Sequence, residues 1–301
     1  MLEINSLLSE SSNLNTVGIS TMDVIEILKL INNEDALVSK SVETELKNIE
    51  LAVTAIADRF SRGGRIIYVG AGSSGRLGLM DAAEILPTYG IDSSRCYGII
   101  AGGQAAVFEA VEGAEDSVEL ATSDFLANDI SELDVIIGIA ASGRTPYTIE
   151  FLKLSKQRDA LTVSVTTNKP SQMSLITDFS IDVEVGPEVI SGSTRMKSGT
   201  AQKMILNMIS TSVMIKLGRV YQNQMIFVQA SNEKLKHRAC NIFKNCTNTD
   251  DVVAREWLNQ SNYRVAEALL MFWYQIDFND ARLRLEQSKG NFSVAIEGLS
   301  R

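Results

Sequence analysis

The fold is decided by residues 65–76, which read RIIYVGAGSSGR. A short apolar run ends at Gly70 and leads into a turn rich in glycine and serine. Similar apolar runs recur further along the chain, most of them separated by helical patterns; they lie at 97–101, 135–139, 161–165 and 179–183. Continuous apolar strands that alternate with helices predict a parallel sheet buried on both faces, as in an α/β protein with three α/β/α layers. Ligands of such sheets bind beyond the carboxyl ends of the strands, so the turns after the strands are the candidate site.

The composition is that of a globular protein without a nucleic-acid or membrane partner. The 301 residues are 45% hydrophobic and 22% charged, and the formal net charge of −9 argues against phosphate-mediated nucleic-acid binding. Three cysteines without a C-x-x-C motif (Cys96, Cys240 and Cys246) predict a reducing cytoplasm rather than a disulfide framework. The first residues do not resemble a signal peptide, and the apolar stretch 200–218 contains charged side chains, so we predict no membrane span.

The chain is predicted to divide into three regions. Residues 1–50 form an N-terminal arm and helices, residues 51–220 form the α/β domain, and residues 221–301 form a helical C-terminal subdomain. Apolar spacings of three and four predict long helices over 41–62 and 194–217.

The region beyond the last proline, Pro187, reads as almost continuous helix and contains a weak internal repeat. The pattern A-R-x-x-L-x-Q-S occurs at 254–261 and again at 281–288. This repeat indicates a duplicated helical hairpin that packs or dimerises.

Three turns rich in hydroxyl groups are the candidate binding elements. Their residues are Gly72, Ser73 and Ser74 after the first strand, Ser142, Gly143 and Thr145 after the third, and Ser191, Ser193, Thr194 and Lys197 before a long helix. Glycines let backbone N–H groups approach an anion, and a helix N-terminus adds a favourable dipole. Each turn alone is also an ordinary helix cap. Together, at one edge of a sheet, they predict a site for a sugar phosphate or a similar polyol phosphate.

The same first turn matches G-x-G-x-x-G, the dinucleotide fingerprint. The acidic residue expected after the second strand is missing, because that strand ends in AGGQ (101–104), which argues against a nicotinamide cofactor. The candidate acids and bases are Glu84, whose apolar flanks predict partial burial, and Glu115, which Gly113 is expected to aim by a bend. The only histidine, His237, lies on a charged helix and is predicted to be a surface residue.

Four ordered motifs carry a family resemblance over roughly residues 20–240. GAGSSGRLGLMDAAEILPTYG (70–90), AGGQAAVFEAVEGAED (101–116), GIAASGRTPY (138–147) and VGPEVISGSTRMKSGTAQKMILNMIS (185–210) closely resemble the N-acetylmuramic acid 6-phosphate etherases, which belong to the sugar isomerase (SIS) fold group. The resemblance implies cleavage of a D-lactyl ether without a metal or cofactor, giving N-acetylglucosamine 6-phosphate and D-lactate. By motif, the two catalytic glutamates fall on Glu84 and Glu115. The site of related SIS proteins lies near a dimer interface, which implies a homodimer.

Other readings of the same motifs remain open. A relative of this fold group, a vertebrate glucokinase regulatory protein, binds fructose phosphates without catalysis. A non-catalytic sugar-phosphate regulator is therefore the main alternative to the etherase. An aldose–ketose isomerase and a dehydrogenase are two further alternatives. Retention of both glutamates in their motifs favours the etherase.

Overall fold

The structure, a computed structural model, describes residues 10–297. Within them a single sheet contains β1 (Ile66–Gly70), β2 (Cys96–Ile100), β3 (Val135–Ile139), β4 (Leu161–Thr166) and β5 (Phe179–Asp182). All pairings are parallel and the strand order is β2-β1-β3-β4-β5, so the five predicted strands and their parallel arrangement are confirmed. The chain turns in opposite directions from β1 towards β2 and β3. The point between β1 and β3 is therefore the topological switch point, where sheets of this kind bind ligands.

The described residues pack as two compact units. The first contains the residues up to Ala82 together with Ser94–Ser210, and the second contains Ala83–Ser93 and the residues from Thr211 onward. This division differs from the predicted regions 1–50, 51–220 and 221–301, because the N-terminal helices pack with the sheet and a segment from the middle of the chain packs with the C-terminal helices.

The helices of the first unit follow from local sequence and from the faces they bury. They are α1 (Val24–Asp35), α2 (Val38–Glu43), α3 (Leu46–Ser61), the first part of α4 (Gly72–Tyr89), α5 (Ala105–Phe108), α6 (Val118–Ala127), α7 (Pro146–Gln157) and the first part of α8 (Lys197–Lys216). Alternate strand residues face opposite layers. Ile67 and Ile136 share a core with Phe151 of α7, whereas Tyr68 faces Gly78 of α4.

Two predicted helix boundaries are wrong. The helix predicted over 41–62 is broken into α2 and α3, with the buried Glu45 at the break receiving the ammonium of Lys169 at 3.0 Å. The helix predicted from residue 194 begins at Lys197, because the carboxylate of Glu188 accepts the N–H groups of Lys197 and Ser198, both at 2.9 Å.

The second unit is built mainly from helices, and its longest non-helical stretch among the described residues is 217–232. That stretch contradicts the prediction of almost continuous helix. The helices beyond it are α9 (Glu233–Thr247), α10 (Asp251–Gln260), α11 (Val265–Tyr274), α12 (Phe278–Gln287) and α13 (Phe292–Ile296). The sequence repeat corresponds to two helical hairpins, α10–α11 and α12–α13. Equivalent residues of the repeat, such as Leu258 and Leu285, are buried in the same core.

Candidate functional site

The first turn of the candidate site forms the beginning of helix α4. The chain leaves β1 and enters the helix at Gly72, whose φ of +52° is the left-handed conformation that glycine tolerates. Gly75 sits so close to the strand that a Cβ there would lie 2.7 Å from Cγ1 of Ile100 and 2.8 Å from the carbonyl oxygen of Gly70. The glycines therefore bring the first N–H groups of α4 to the edge of the sheet, where a helix N-terminus favours an anion.

The two serines of this turn have different environments. Ser73 is exposed, whereas Ser74 is 8% exposed and donates its hydroxyl hydrogen to Oε1 of the buried Gln202 at 2.9 Å. Ser73 is thus accessible to a ligand, while the hydroxyl of Ser74 is already used within the protein. The sequence does not predict the role of Gln202, because nothing local indicates that a helical glutamine contacts a turn 128 residues away.

The second turn follows β3 and begins helix α7. Ser142 accepts the N–H of Arg144 at 3.3 Å, and Thr145 precedes Pro146 at the first turn of α7. The segment after β4 stabilises this turn: Thr167 Oγ1 and Asn168 Nδ2 donate to the carbonyl oxygen of Ala141 at 3.0 and 2.9 Å. Gly143, with φ +66°, accepts the N–H of Met173 at 3.1 Å.

The third turn reaches the same edge through helix α8. Ser198 is hydrogen-bonded to Thr167 at 3.1 Å, and Gln202 is hydrogen-bonded to Ser74, so α8 is joined to the segment behind the second turn and to the first turn itself. Ser191 is exposed, and Ser193 and Thr194 are half-buried. The structure therefore brings the three predicted turns to one edge of the sheet.

The N-terminus of α8, however, already holds an anionic group. Glu188 is fully buried, and its two carboxylate oxygens accept the first N–H groups of α8. Nζ of Lys197 donates to Glu34 at 2.5 Å, and Lys197 is only 1% exposed. Lys197 is therefore not placed to bind a ligand, which corrects its assignment to the substrate-binding residues. The pattern of small and hydroxyl residues did not indicate that a distant carboxylate on α1 would hold this lysine.

Glu115 lies in a cleft next to the first turn. The cleft has a volume of about 230 Å³, and its lining includes Gly72, Arg76, Glu109, Glu112 and Glu115. Glu115 is exposed in a 3₁₀ turn, Ala114–Asp116, which begins after Gly113 with φ +73°. The predicted bend at the glycine is thus confirmed.

Arg76 fixes one wall of this cleft. Its Nε donates to the carbonyl oxygen of Val107 at 3.0 Å, and its Nη2 donates to that of Glu109 at 3.0 Å. These two bonds tie the segment before Glu115 to helix α4. In the sequence, Arg76 is marked only as the end of the glycine-rich turn, because hydrogen bonds to backbone carbonyl groups leave no sequence signal.

Glu84 is exposed, so the predicted partial burial is wrong. Apolar neighbours in sequence are not neighbours on a helix: the buried side of α4 contains Asp81, Ala82 and Ile85, and Glu84 lies beyond the edge of that side. His237 is exposed, as predicted, and contacts only Asn241, at 3.3 Å, among the hydrogen bonds of the described residues.

Among residues 10–297, none of the helices has the length and apolar character that a membrane crossing requires. Over the same residues, no group of three or more His, Cys, Asp or Glu side chains is arranged to hold a metal ion.

The fold and the turns define a sugar isomerase (SIS) type of domain. Residues 48–156 match the family model described as the glucokinase regulatory protein N-terminal SIS domain. A solved structure from Bacteroides fragilis NCTC 9343, described as a phosphosugar isomerase involved in capsule formation, has the same fold. Its TM-score is 0.50 at 16% identity, with 67% of this chain and 95% of that chain covered.

Full-length relatives define the family more narrowly. A protein of Clostridium beijerinckii named N-acetylmuramic acid 6-phosphate etherase is 49% identical, with 98% of this chain and 97% of the relative covered. An Enterococcus faecalis protein named N-acetylmuramic acid 6-phosphate etherase 1 is 46% identical, with 98% of each chain covered. This chain belongs to the N-acetylmuramic acid 6-phosphate etherase family.

Proposed function

We propose that this chain cleaves the D-lactyl ether of N-acetylmuramic acid 6-phosphate and releases N-acetylglucosamine 6-phosphate and D-lactate. The observation that carries this proposal is the identity of 49% along almost the whole of a relative named for that activity. The site geometry agrees with it, because a carboxylate, Glu115, shares a cleft with the glycine-rich turn at the edge of an SIS sheet.

The proposed chemistry is an elimination followed by an addition. The sugar opens to its aldehyde form, which makes the C2 proton acidic. Glu115 removes that proton, the C3–O bond breaks, and Glu84 of a second copy of the chain protonates the departing oxygen of lactate, because Glu84 lies more than three turns along α4 from Gly72 of its own chain. Water then adds at C3 of the unsaturated aldehyde, and C2 regains a proton. No step needs an electron donor, a metal or a cofactor.

The substrate phosphate is assigned to the neutral donors at the starts of α4 and α7. These donors include the exposed Ser73 and the backbone of Gly72, with Ser142, Gly143 and Thr145 on the other side of the switch point. The turn Ser191–Thr194 is assigned to the sugar rather than to the phosphate, because the carboxylate of Glu188 fills the start of α8. Ser74 acts by holding the turn against Gln202.

The test is D-lactate release from N-acetylmuramic acid 6-phosphate by the purified chain and by the variants Glu84→Gln and Glu115→Gln. Each variant is expected to lose about 10²–10⁴-fold in rate, the usual contribution of a general acid or base. Glu112→Gln is the matched control, because Glu112 lines the same cleft and has no proposed part in proton transfer.

Isotope exchange separates the two roles. In D₂O the Glu115→Gln variant is expected to lose deuterium incorporation at C2, whereas Glu84→Gln keeps that exchange and loses lactate release. Wild-type rates in both variants would contradict the assignment. Sugar-phosphate binding without any lactate from the wild type would instead identify the non-catalytic regulator.

We also propose that the chain acts as a cytoplasmic homodimer. Helix α1 exposes Val24, Ile25 and Leu28, at 73%, 58% and 55%, on a surface of the first unit that a second copy would cover. The three cysteines are unpaired thiols, which is typical of a reducing compartment. Sedimentation of the wild type and of Ile25→Glu tests the dimer: the wild type is expected at twice the chain mass of 32.9 kDa and the variant at the chain mass.

A further inference from the structure

One cationic side chain, that of Arg76, lines the cleft that contains Glu115 and has no ion-pair partner among the described residues. The cleft is lined by three acidic residues, Glu109, Glu112 and Glu115, and Arg76 is the only basic residue among its lining residues in the described part of the chain. Within residues 10–297 Arg76 forms no ion pair. Its two hydrogen bonds go to neutral backbone carbonyl groups, those of Val107 and Glu109.

These two bonds leave a defined part of the guanidinium group unused. A guanidinium has five N–H donors. The carbonyl groups occupy the edge formed by Nε and Nη2, so both N–H groups of Nη1 and the second N–H of Nη2 have no partner among the described residues. One N–H from each Nη forms the end of the fork, which matches the two oxygens of a carboxylate. The bound edge meanwhile holds the guanidinium in one orientation.

The position of the cleft decides which anionic group of the substrate lies beside Arg76. The donors assigned to the phosphate lie at the ends of β1 and β3, whereas the cleft lies beside the turns after β1 and β2. Strands two places apart in a sheet are separated by about 10 Å. A phosphate at C6 between β1 and β3 therefore puts the other end of the sugar, C2 and C3, on the side of Glu115. The lactyl group is attached at C3.

We propose that Arg76 binds the carboxylate of the D-lactyl group through its Nη1–Nη2 edge, and that this contact selects muramic acid ethers over other sugar phosphates. The inference rests on the proposed function. Arg76 holds the leaving group next to Glu115 and offsets the repulsion between the three cleft carboxylates and the lactyl carboxylate.

The test compares ligands with and without that carboxylate in Arg76→Gln and Arg76→Lys. For N-acetylmuramic acid 6-phosphate, kcat/KM is expected to fall about 10- to 100-fold in Arg76→Gln, with a smaller loss in Arg76→Lys, which keeps the charge but not the fork. The inhibition constant of N-acetylglucosamine 6-phosphate, which has the phosphate but no carboxylate, is expected to stay within about twofold. Equal losses for both ligands would overturn the proposal, because they would mean that Arg76 binds phosphate or only holds the wall of the cleft.

A second measurement uses the wild type alone and does not depend on a variant that folds. The substrate analogue with a carboxamide in place of the lactyl carboxylate is expected to react with a kcat/KM lower by about 10-fold or more. An analogue that reacts as well as the substrate would refute the contact. A wild type that releases no D-lactate from the substrate itself would refute the proposed function instead, so the two failures are distinguishable.

Discussion

Replacing Lys197 by methionine is expected to lower the free energy of unfolding by about 3–5 kcal/mol, the cost of removing one partner of a buried ion pair. Nζ of Lys197 lies 2.5 Å from Oε2 of Glu34, and the two residues are 1% and 7% exposed. Methionine keeps most of the side-chain volume, so the loss comes mainly from the charge left on Glu34. Urea denaturation of the wild type and the variant at pH 7 measures the difference.

The pH dependence follows from the same carboxylate. Burial raises the pKa of Glu34, but hydrogen bonds from Lys197 and Asn13 and the charge of Lys197 outweigh it, so the pKa lies below its ordinary value. A depressed folded-state pKa stabilises the protein above the unfolded-state value of 4.5, and that contribution disappears as the pH falls through the folded-state pKa. The stability difference between wild type and Lys197→Met is therefore expected to narrow on acidification.

The double variant Glu34→Gln/Lys197→Met is the control. It leaves no buried charge at this position, so it is expected to be more stable than Lys197→Met alone. A single variant as stable as the wild type at pH 7, or a double variant less stable than the single one, would refute the reasoning.

Two further predictions concern the scaffold of the site. Gly75→Ala is expected to lower the free energy of unfolding by about 1–3 kcal/mol, because its Cβ would lie 2.7 Å from Ile100. Gly199→Ala is the matched helical control, since its Cβ has no neighbour closer than 3.6 Å. Thermal unfolding measures both variants, and equal midpoints would contradict the packing argument. Asp134→Asn is expected to lower the free energy of unfolding by about 3–5 kcal/mol at pH 7, since Asp134 is 1% exposed and accepts a hydrogen bond from Arg65 Nη2 at 2.6 Å. Burial raises the pKa of Asp134, but the hydrogen bonds from Arg65 outweigh burial, so the pKa in the folded protein lies below the unfolded-state pKa of 3.8. The urea midpoints of wild type and variant are therefore expected to converge as the pH falls below 3.8. A midpoint difference that stays constant with pH would contradict this.

The strands were predictable because a parallel sheet buried on both faces leaves continuous apolar runs in the sequence. The run 135–139, for instance, is β3 to the residue. Helix boundaries were less predictable, because side chains distant in sequence set them. Glu188 starts α8 three residues later than the local pattern indicated, and Glu45 lies where α2 and α3 are interrupted.

The candidate site likewise contains features that the local sequence predicts and features that depend on residues distant in sequence. Its turns could be found, because glycine and hydroxyl residues next to a strand end have a local signature. The groups that orient the turns have no such signature, since Gln202 contacts Ser74 across 128 positions and Arg76 bonds to backbone carbonyls. Burial of Glu84 could not be read from its neighbours, because a helix places adjacent residues on different sides.

Helices α4, α7 and α8 begin at the ligand-binding edge, but their N-termini are not equivalent towards an anion. The start of α8 is filled by the carboxylate of Glu188, so a phosphate there would meet a fixed negative charge in a buried, poorly screened environment. The starts of α4 and α7 carry no such group among the described residues and flank the switch point of the sheet. On the proposed function, this asymmetry sets the direction of the substrate: the phosphate lies between β1 and β3, and the ether lies towards Glu115 and Arg76. A sugar phosphate bound in the opposite direction would bring its phosphate among the cleft carboxylates, so the charges of the site favour the productive orientation.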